Sequence, residues 1–198
     1  MNLAERLRLK LAGQNHETLP PMPGDTGYNL AEDGLVPAAV LVAITDRPEP
    51  GLLLTLRTAH LRKHAGQVAF PGGRIDPGDS GPIAAALREA EEEIGLPPSK
   101  VDIIGTTDRY RTVTGFVVTP VIAIVPPDLV LSPHAEEVAA VFEARLSHVL
   151  DPANRVLREQ VYQGSARSYY EIYWEEFRIW GATAAMIVNL AARIGTAA

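Results

Sequence analysis

Residues 70–96 read FPGGRIDPGDSGPIAAALREAEEEIGL, a glycine-bearing entry followed by an acidic helix. Phe70-Pro71-Gly72-Gly73 predicts a tight turn, because glycine permits backbone conformations and close approaches that side chains block. Asp79 or Ser80 is suited to cap the helix that follows, with Pro82 in its first turn. At about 3.6 residues per turn, Ile83, Leu87, Ala90 and Ile94 share one face and form a stripe for burial. Glu89 and Glu93 stack at i and i+4, with Glu92 beside them and Glu91 turned away. Like charges on one flank weaken a helix. A hard divalent cation such as Mg²⁺ reverses that cost, since it takes oxygen ligands and bridges to substrate phosphates. Arg88 stands four residues before Glu92, placed to hold a carboxylate. A glutamate run alone reads as a solvated face; tied to this entry, it reads as a metal site.

At these residues the chain resembles the Nudix hydrolase family. Gly73 opens that family's signature, and Arg88-Glu89-Ala90-Glu91-Glu92-Glu93-Ile94-Gly95-Leu96 completes it. The middle departs from the pattern: Asp79 stands for the first glutamate, and the spacing to Arg88 is one residue longer. The resemblance implies an α/β/α sandwich, a mixed sheet flanked by helices with the box as a loop-helix-loop. It also implies Mg²⁺ or Mn²⁺ held by Glu89, Glu92 and Glu93, with a backbone carbonyl near Gly72 completing the coordination. Among the three glutamates the sequence does not separate ligand from base.

Outward from the box, Arg57, His60, Arg62, Lys63 and His64 concentrate positive charge in a chain of net charge −6. Such charge beside a metal turn suits a ligand with several phosphates, which arginine grips through two donors. Leu53-Leu54-Thr55, Arg57, Arg62, Gly66 and Phe70-Pro71-Gly72-Gly73 are similar, at matching spacing, to the upstream motif of the coenzyme A pyrophosphatases, a Nudix subfamily. Thr58 departs from the usual Ser or Ala. This resemblance implies hydrolysis of coenzyme A, its thioesters or its oxidised forms to 3′,5′-ADP and 4′-phosphopantetheine. Arg57, Arg62, Lys63, Gly72 and Gly73 are then the substrate-contacting candidates. The alternatives are a general Nudix hydrolase of ADP-ribose, NADH or dinucleoside polyphosphates, and a catalytically silent nucleotide-sensing module.

The 198 residues, 46% of them hydrophobic, suffice for one full core. We expect residues 1–34 to form a helix-and-loop extension and 35–198 the Nudix domain. The acidic balance argues against a nucleic-acid partner, and the lack of cysteine fits a reducing cytoplasm. The N-terminus lacks a signal-peptide core, and no apolar run spans a bilayer.

Along the chain, Leu3, Leu7 and Leu11 predict a helix over residues 2–13, and Gln14–Gly34 a loop. Strands are predicted at Val36–Thr45, Leu52–Arg57, Val101–Thr107, Thr119–Val125 and Val138–Phe142, with a short helix at Leu146–Leu150. Asp151–Arg167 reads as a polar stretch, Ser168–Trp180 as one strand or a pair, and Gly181–Ile194 as a helix. Tyr110 is read as packing or as a base-stacking ring, and His134 as a plain loop residue. Glu136 and Glu137 are both open as a further metal ligand or base.

Overall fold

The computed structural model describes residues 1–12, 34–61, 64–112, 114–162 and 165–195. Two strands set the frame. β1 (Val36–Thr45) and β2 (Gly51–Arg57) flank a turn over residues 46–50 and pair at Ile44 and Leu52. They then diverge. β3 (Val68–Ala69) completes the freed edge of β2, and β4 (Gly72–Arg74) completes that of β1. Between them the Leu41 N–H donates to the Pro71 carbonyl at 2.8 Å. Phe70-Pro71-Gly72-Gly73 is therefore a crossing rather than a tight turn. The bend at Pro71 carries the chain between two strand edges and leaves Gly72 and Gly73 in the split of the sheet.

Along its other edge β1 runs parallel to β7 (Phe116–Val125). β5 (Asp102–Thr106) and β6 (Tyr110–Arg111) pair antiparallel with β7, and β8 (Val138–Arg145) with β2. The sheet is mixed, and both faces are covered. Ala39, Leu41 and Ala43 of β1 pack under α2 (Pro82–Ile94). The alternate residues Ala38, Val42 and Ile44 enter the opposite core, with α1 (Leu3–Ala12), α3 (Leu146–Leu150) and α4 (Gly181–Ile194). This is the period-two division of a strand covered twice. Leu3 and Leu7 anchor α1 in that core, so the N-terminal helix is packed onto the sheet domain. Tyr110 also lies in it, 7% exposed. No helix of the described residues is long and apolar enough to cross a membrane.

The buried face of α2 differs from the predicted stripe. Ala85, Ala86, Ala90, Glu93 and Ile94 are buried, Leu87 is half-buried and Ile83 is exposed. Small side chains let the helix axis approach the equally small Ala39 and Ala43, and close packing outweighs the pull of one larger apolar residue. That close seat is what buries Glu93. The helix N-cap is Gly81 with no side-chain cap, so neither Asp79 nor Ser80 caps it; Gly95 closes the other end in the left-handed conformation.

β9 (Arg155–Tyr162), β10 (Ser165–Trp174) and β11 (Phe177–Trp180) form a second sheet. β9 falls in the stretch read as polar. Leu157 and Val161 are more than half exposed there, so the strand carries no clear buried face to betray it. Ile172 and Ile179 pair across β10 and β11 on the core side. Glu171 points to the other side yet is only 3% exposed, covered by Arg158, Arg178 and Tyr173, which all bond its carboxylate. Burial pushes the Glu171 carboxyl up, but the bonds from Arg178, Tyr173 and Arg158 outweigh it and hold it at about 2. A depressed carboxyl contributes stability that is present above its ordinary value of 4.5 and lost as the pH falls toward 2. Glu171→Gln is expected to cost roughly 2 kcal/mol at neutral pH, reduced from the buried-pair range because both arginines are half exposed. Thermal melts across that acid window check it: the variant's profile is expected to be flatter than the wild type's.

Candidate active site

Glu93 is the floor of the site. Its carboxylate is nearly buried, and Oε2 accepts the Gly72 N–H at 3.1 Å. Burial pushes the Glu93 carboxyl up to about 7; the Gly72 N–H and Arg57 pull against this, while Glu89 and Glu137 push further. Glu89 is raised by burial as well, partly offset by Arg88. Two desolvated, mutually repelling carboxylates on one helix face are a site short of positive charge.

Arg88 supplies part of that charge and organises the entry. Its Nε and Nη2 grip both oxygens of Asp79 at 3.1 and 3.0 Å, and Nη2 also donates to the Arg74 carbonyl at 3.1 Å. Its Nη1 lies between Glu89 Oε1 at 2.9 Å and Glu92 Oε2 at 3.0 Å. Asp79, held below the usual carboxylate range by Arg88 and by the Asp76 N–H, anchors the guanidinium. The longer box thus uses Asp79 to fix Arg88 from outside the helix. Glu92 remains mostly exposed, as does Glu91.

The two glycines serve different purposes. Gly72 has φ +153°, and a Cβ there would stand 2.4 Å from the Ala39 carbonyl oxygen, which is backbone and does not yield. At Gly73 a Cβ would stand 2.5 Å from Glu89 Oε1, the end of a flexible side chain. Gly73→Ala is accordingly expected to fold while displacing the Glu89 carboxylate. A displacement of about 1 Å at a reacting centre costs about 10²-fold in rate. Paired melting and steady-state kinetics test this; Gly72→Ala is expected to lose stability as well.

Strand alternation puts Arg57 on the same face of β2 as Leu53, toward α2, and its Nη1 lies 3.4 Å from Glu93 Oε1; opposite the Leu56–Arg57 step, β8 carries the extra residue Ala139. Thr58 then ties this strand end to the opposite loop, through its N–H to the Glu137 carbonyl and its hydroxyl to the Glu136 carbonyl. The same loop bonds the helix end, from the His134 N–H to the Glu93 carbonyl at 2.9 Å. The negative charge of Glu137 on this loop is among the causes that push the Glu93 carboxyl up. His134 is an exposed loop residue. Arg62 and Lys63 lie outside the described residues. A cavity of about 560 Å³ opens at the N-terminal end of α2, lined among others by Ile75, Pro82, Asp108 and Arg193, and none of the glutamates line it.

The donor set fits a hard divalent cation: carboxylate oxygens, two of them desolvated, with no soft ligand. Among the described residues no three acidic or imidazole groups already form a cage. What separates them is visible. Glu89 and Glu92 converge on one cationic nitrogen of Arg88, and Glu93 faces Arg57. A positive centre is thus accommodated between two of the carboxylates.

The NUDIX domain model matches residues 35–163. The chain is 50% identical over 158 residues to the Escherichia coli O7:K1 (strain IAI39 / ExPEC) protein named Uncharacterized Nudix hydrolase NudL, covering 80% of this chain and 82% of that one. The same name is carried by a Shigella boydii serotype 4 protein, also 50% identical over 158 residues, with the same coverage of each chain. Among solved structures, RenU, a Nudix hydrolase from M. smegmatis, aligns with a TM-score of 0.50 and 27% identity over 59% of this chain and 74% of that one. A MutT/nudix family protein from Enterococcus faecalis shares the fold at a TM-score of 0.51 and 16% identity, over 98% of this chain and 70% of that one.

Proposed function

The chain belongs to the Nudix family, and on that premise we propose that it is a divalent-metal-dependent pyrophosphohydrolase of coenzyme A, its thioesters and its oxidised forms. The products are 3′,5′-ADP and 4′-phosphopantetheine. The coarser statement rests on the family: a Nudix hydrolase acting on a small nucleoside diphosphate derivative with the help of divalent metal. The observation that carries the finer one is the seating of Arg57, at the end of β2, beside Glu93. Arg57 belongs to the upstream motif that resembles the coenzyme A enzymes, and it meets the box at one point.

Glu89, Glu92, Glu93 and the Gly72 carbonyl are the proposed holders of Mg²⁺ or Mn²⁺. Bound there, the ion supplies neutralisation of pyrophosphate charge and activation of water. Arg88 keeps Glu89 and Glu92 in place, and the Gly72 N–H fixes the rotamer of Glu93. Arg57, with Arg62 and Lys63 from the same motif, offers cations to the substrate phosphates. Residues 35–198 are the catalytic domain in this reading, residues 1–34 an extension, and the cytoplasm the place of action.

Relative kcat/KM values for coenzyme A, ADP-ribose and NADH, each with Mg²⁺ and with Mn²⁺, test the assignment. Coenzyme A is expected to lead. A clear preference for either of the others keeps the pyrophosphohydrolase and discards the substrate. Catalytically silent modules usually lose box carboxylates, and the retention of all three here favours the enzyme.

A further inference from the structure

We propose that Arg57 is the resident counter-ion of Glu93 in the metal-free protein and competes with the metal for that carboxylate. On metal binding it releases Glu93 and turns to the substrate phosphates. The inference deepens the reading above and rests on its metal site, though not on the identity of the substrate.

The two arginines of the site are held very differently. Arg88 is locked by Asp79 through two bonds, by the Arg74 carbonyl, and by Glu89 and Glu92. Nothing in that arrangement is free to leave without stranding Asp79. Arg57 makes one long contact, 3.4 Å, to Glu93. Its Nε is buried with no hydrogen-bond partner. Buried polar groups are rarely left unpaired, because each costs its desolvation. An arginine with one stretched bond and one orphaned donor has more to gain from a different partner than from its present one. A phosphate fits, since guanidinium grips phosphate through two parallel donors.

The backbone around Arg57 is fixed while its side chain is loosely held. The Arg57 N–H donates to the Gln67 carbonyl at 3.0 Å, its carbonyl accepts from the Gly66 N–H, and Thr58 is bonded twice to the 136–137 loop. The end of β2 therefore acts as a rigid mount from which one side chain swings. Glu93 stays where it is, because the Gly72 N–H holds its other oxygen. Oε1 is the oxygen that Arg57 and a metal would share.

Mn²⁺ affinity of the substrate-free protein, measured by calorimetry, separates this from a purely structural or purely substrate-binding arginine. Arg57→Gln is expected to bind Mn²⁺ roughly fivefold more tightly, the size of one charge-assisted bond weakened by length and partial exposure. Arg57→Lys, which keeps the charge, is expected to remain near wild type. The same Arg57→Gln protein is expected to show a raised KM, with a smaller change in kcat. Unchanged or weaker Mn²⁺ binding in Arg57→Gln overturns the proposal. Should that variant not fold, Mg²⁺ titration of the wild type with ¹⁵N-labelled arginine reads the same event. The Arg57 Nε resonance is expected to shift as metal saturates, and a resonance that stays still overturns the proposal. Neither the calorimetry nor the arginine titration involves coenzyme A, so failure of the substrate assignment shows itself separately, in product analysis of the wild-type enzyme.

Discussion

Glu93→Gln is expected to lower kcat about 10³-fold, at the level of losing a group that acts directly at the reacting centre. The substitution keeps the shape and lets the Gly72 N–H still find an oxygen, so the fold is not at risk. What it removes is the charge. The fold holds the Glu93 carboxyl up at about 7, so it opposes ionisation, and that opposition grows as the pH rises from the ordinary value of 4.5 through 7. Above that window the metal-free variant escapes the penalty, and its melting midpoint at pH 8 is expected to equal or exceed that of the wild type. Low activity with undiminished stability is the signature of a functional carboxylate placed at a cost to the fold. A Glu93→Gln enzyme as active as wild type removes Glu93 from the site.

Arg88→Lys is expected to lower kcat about 10²-fold and to weaken Mn²⁺ binding in the same preparation. Lysine keeps the charge but offers a single ammonium in place of a planar fork. The fork is fully used: one side takes Asp79, the other divides Nη1 between Glu89 and Glu92, and Nη2 reaches the Arg74 carbonyl. A lysine able to satisfy Asp79 leaves Glu89 and Glu92 to repel each other, and the reverse choice strands Asp79. Kinetics and calorimetry on one sample check both halves. Wild-type values in Arg88→Lys would mean that charge alone matters and that the fork is incidental.

The sequence announces most of this architecture wherever a residue's neighbours in the chain are also its constraints. The central β1–β2 pair, the box helix and α4 follow from runs of apolar residues and from Gly95 at the helix end. It is silent where a distant partner decides. Hydrophobicity puts Ile83 on the inner face of α2, but the alanines of β1 admit a closer helix and rotate Glu93 inward instead. Asp79 looks like an N-cap from its position, yet Arg88, nine residues on, offers the stronger partner. β9 escapes notice because its apolar residues face solvent, and Glu171 because its cover comes from three different strands. In the site itself, spacing places Glu89, Glu92 and Glu93 on one helix. That Arg57 meets Glu93 and that the loop at His134 bonds the end of α2 are tertiary facts with no local signal. The paired Glu136-Glu137 hints at a loop carboxylate without saying which.

The most direct measurement is chromatography of the products formed from coenzyme A by the wild-type protein, with Mg²⁺ or Mn²⁺ present and with the metal chelated. The account predicts stoichiometric 3′,5′-ADP and 4′-phosphopantetheine when metal is present, and intact coenzyme A when it is removed. Coenzyme A left uncut with metal present, while ADP-ribose or NADH is cleaved under the same conditions, contradicts it.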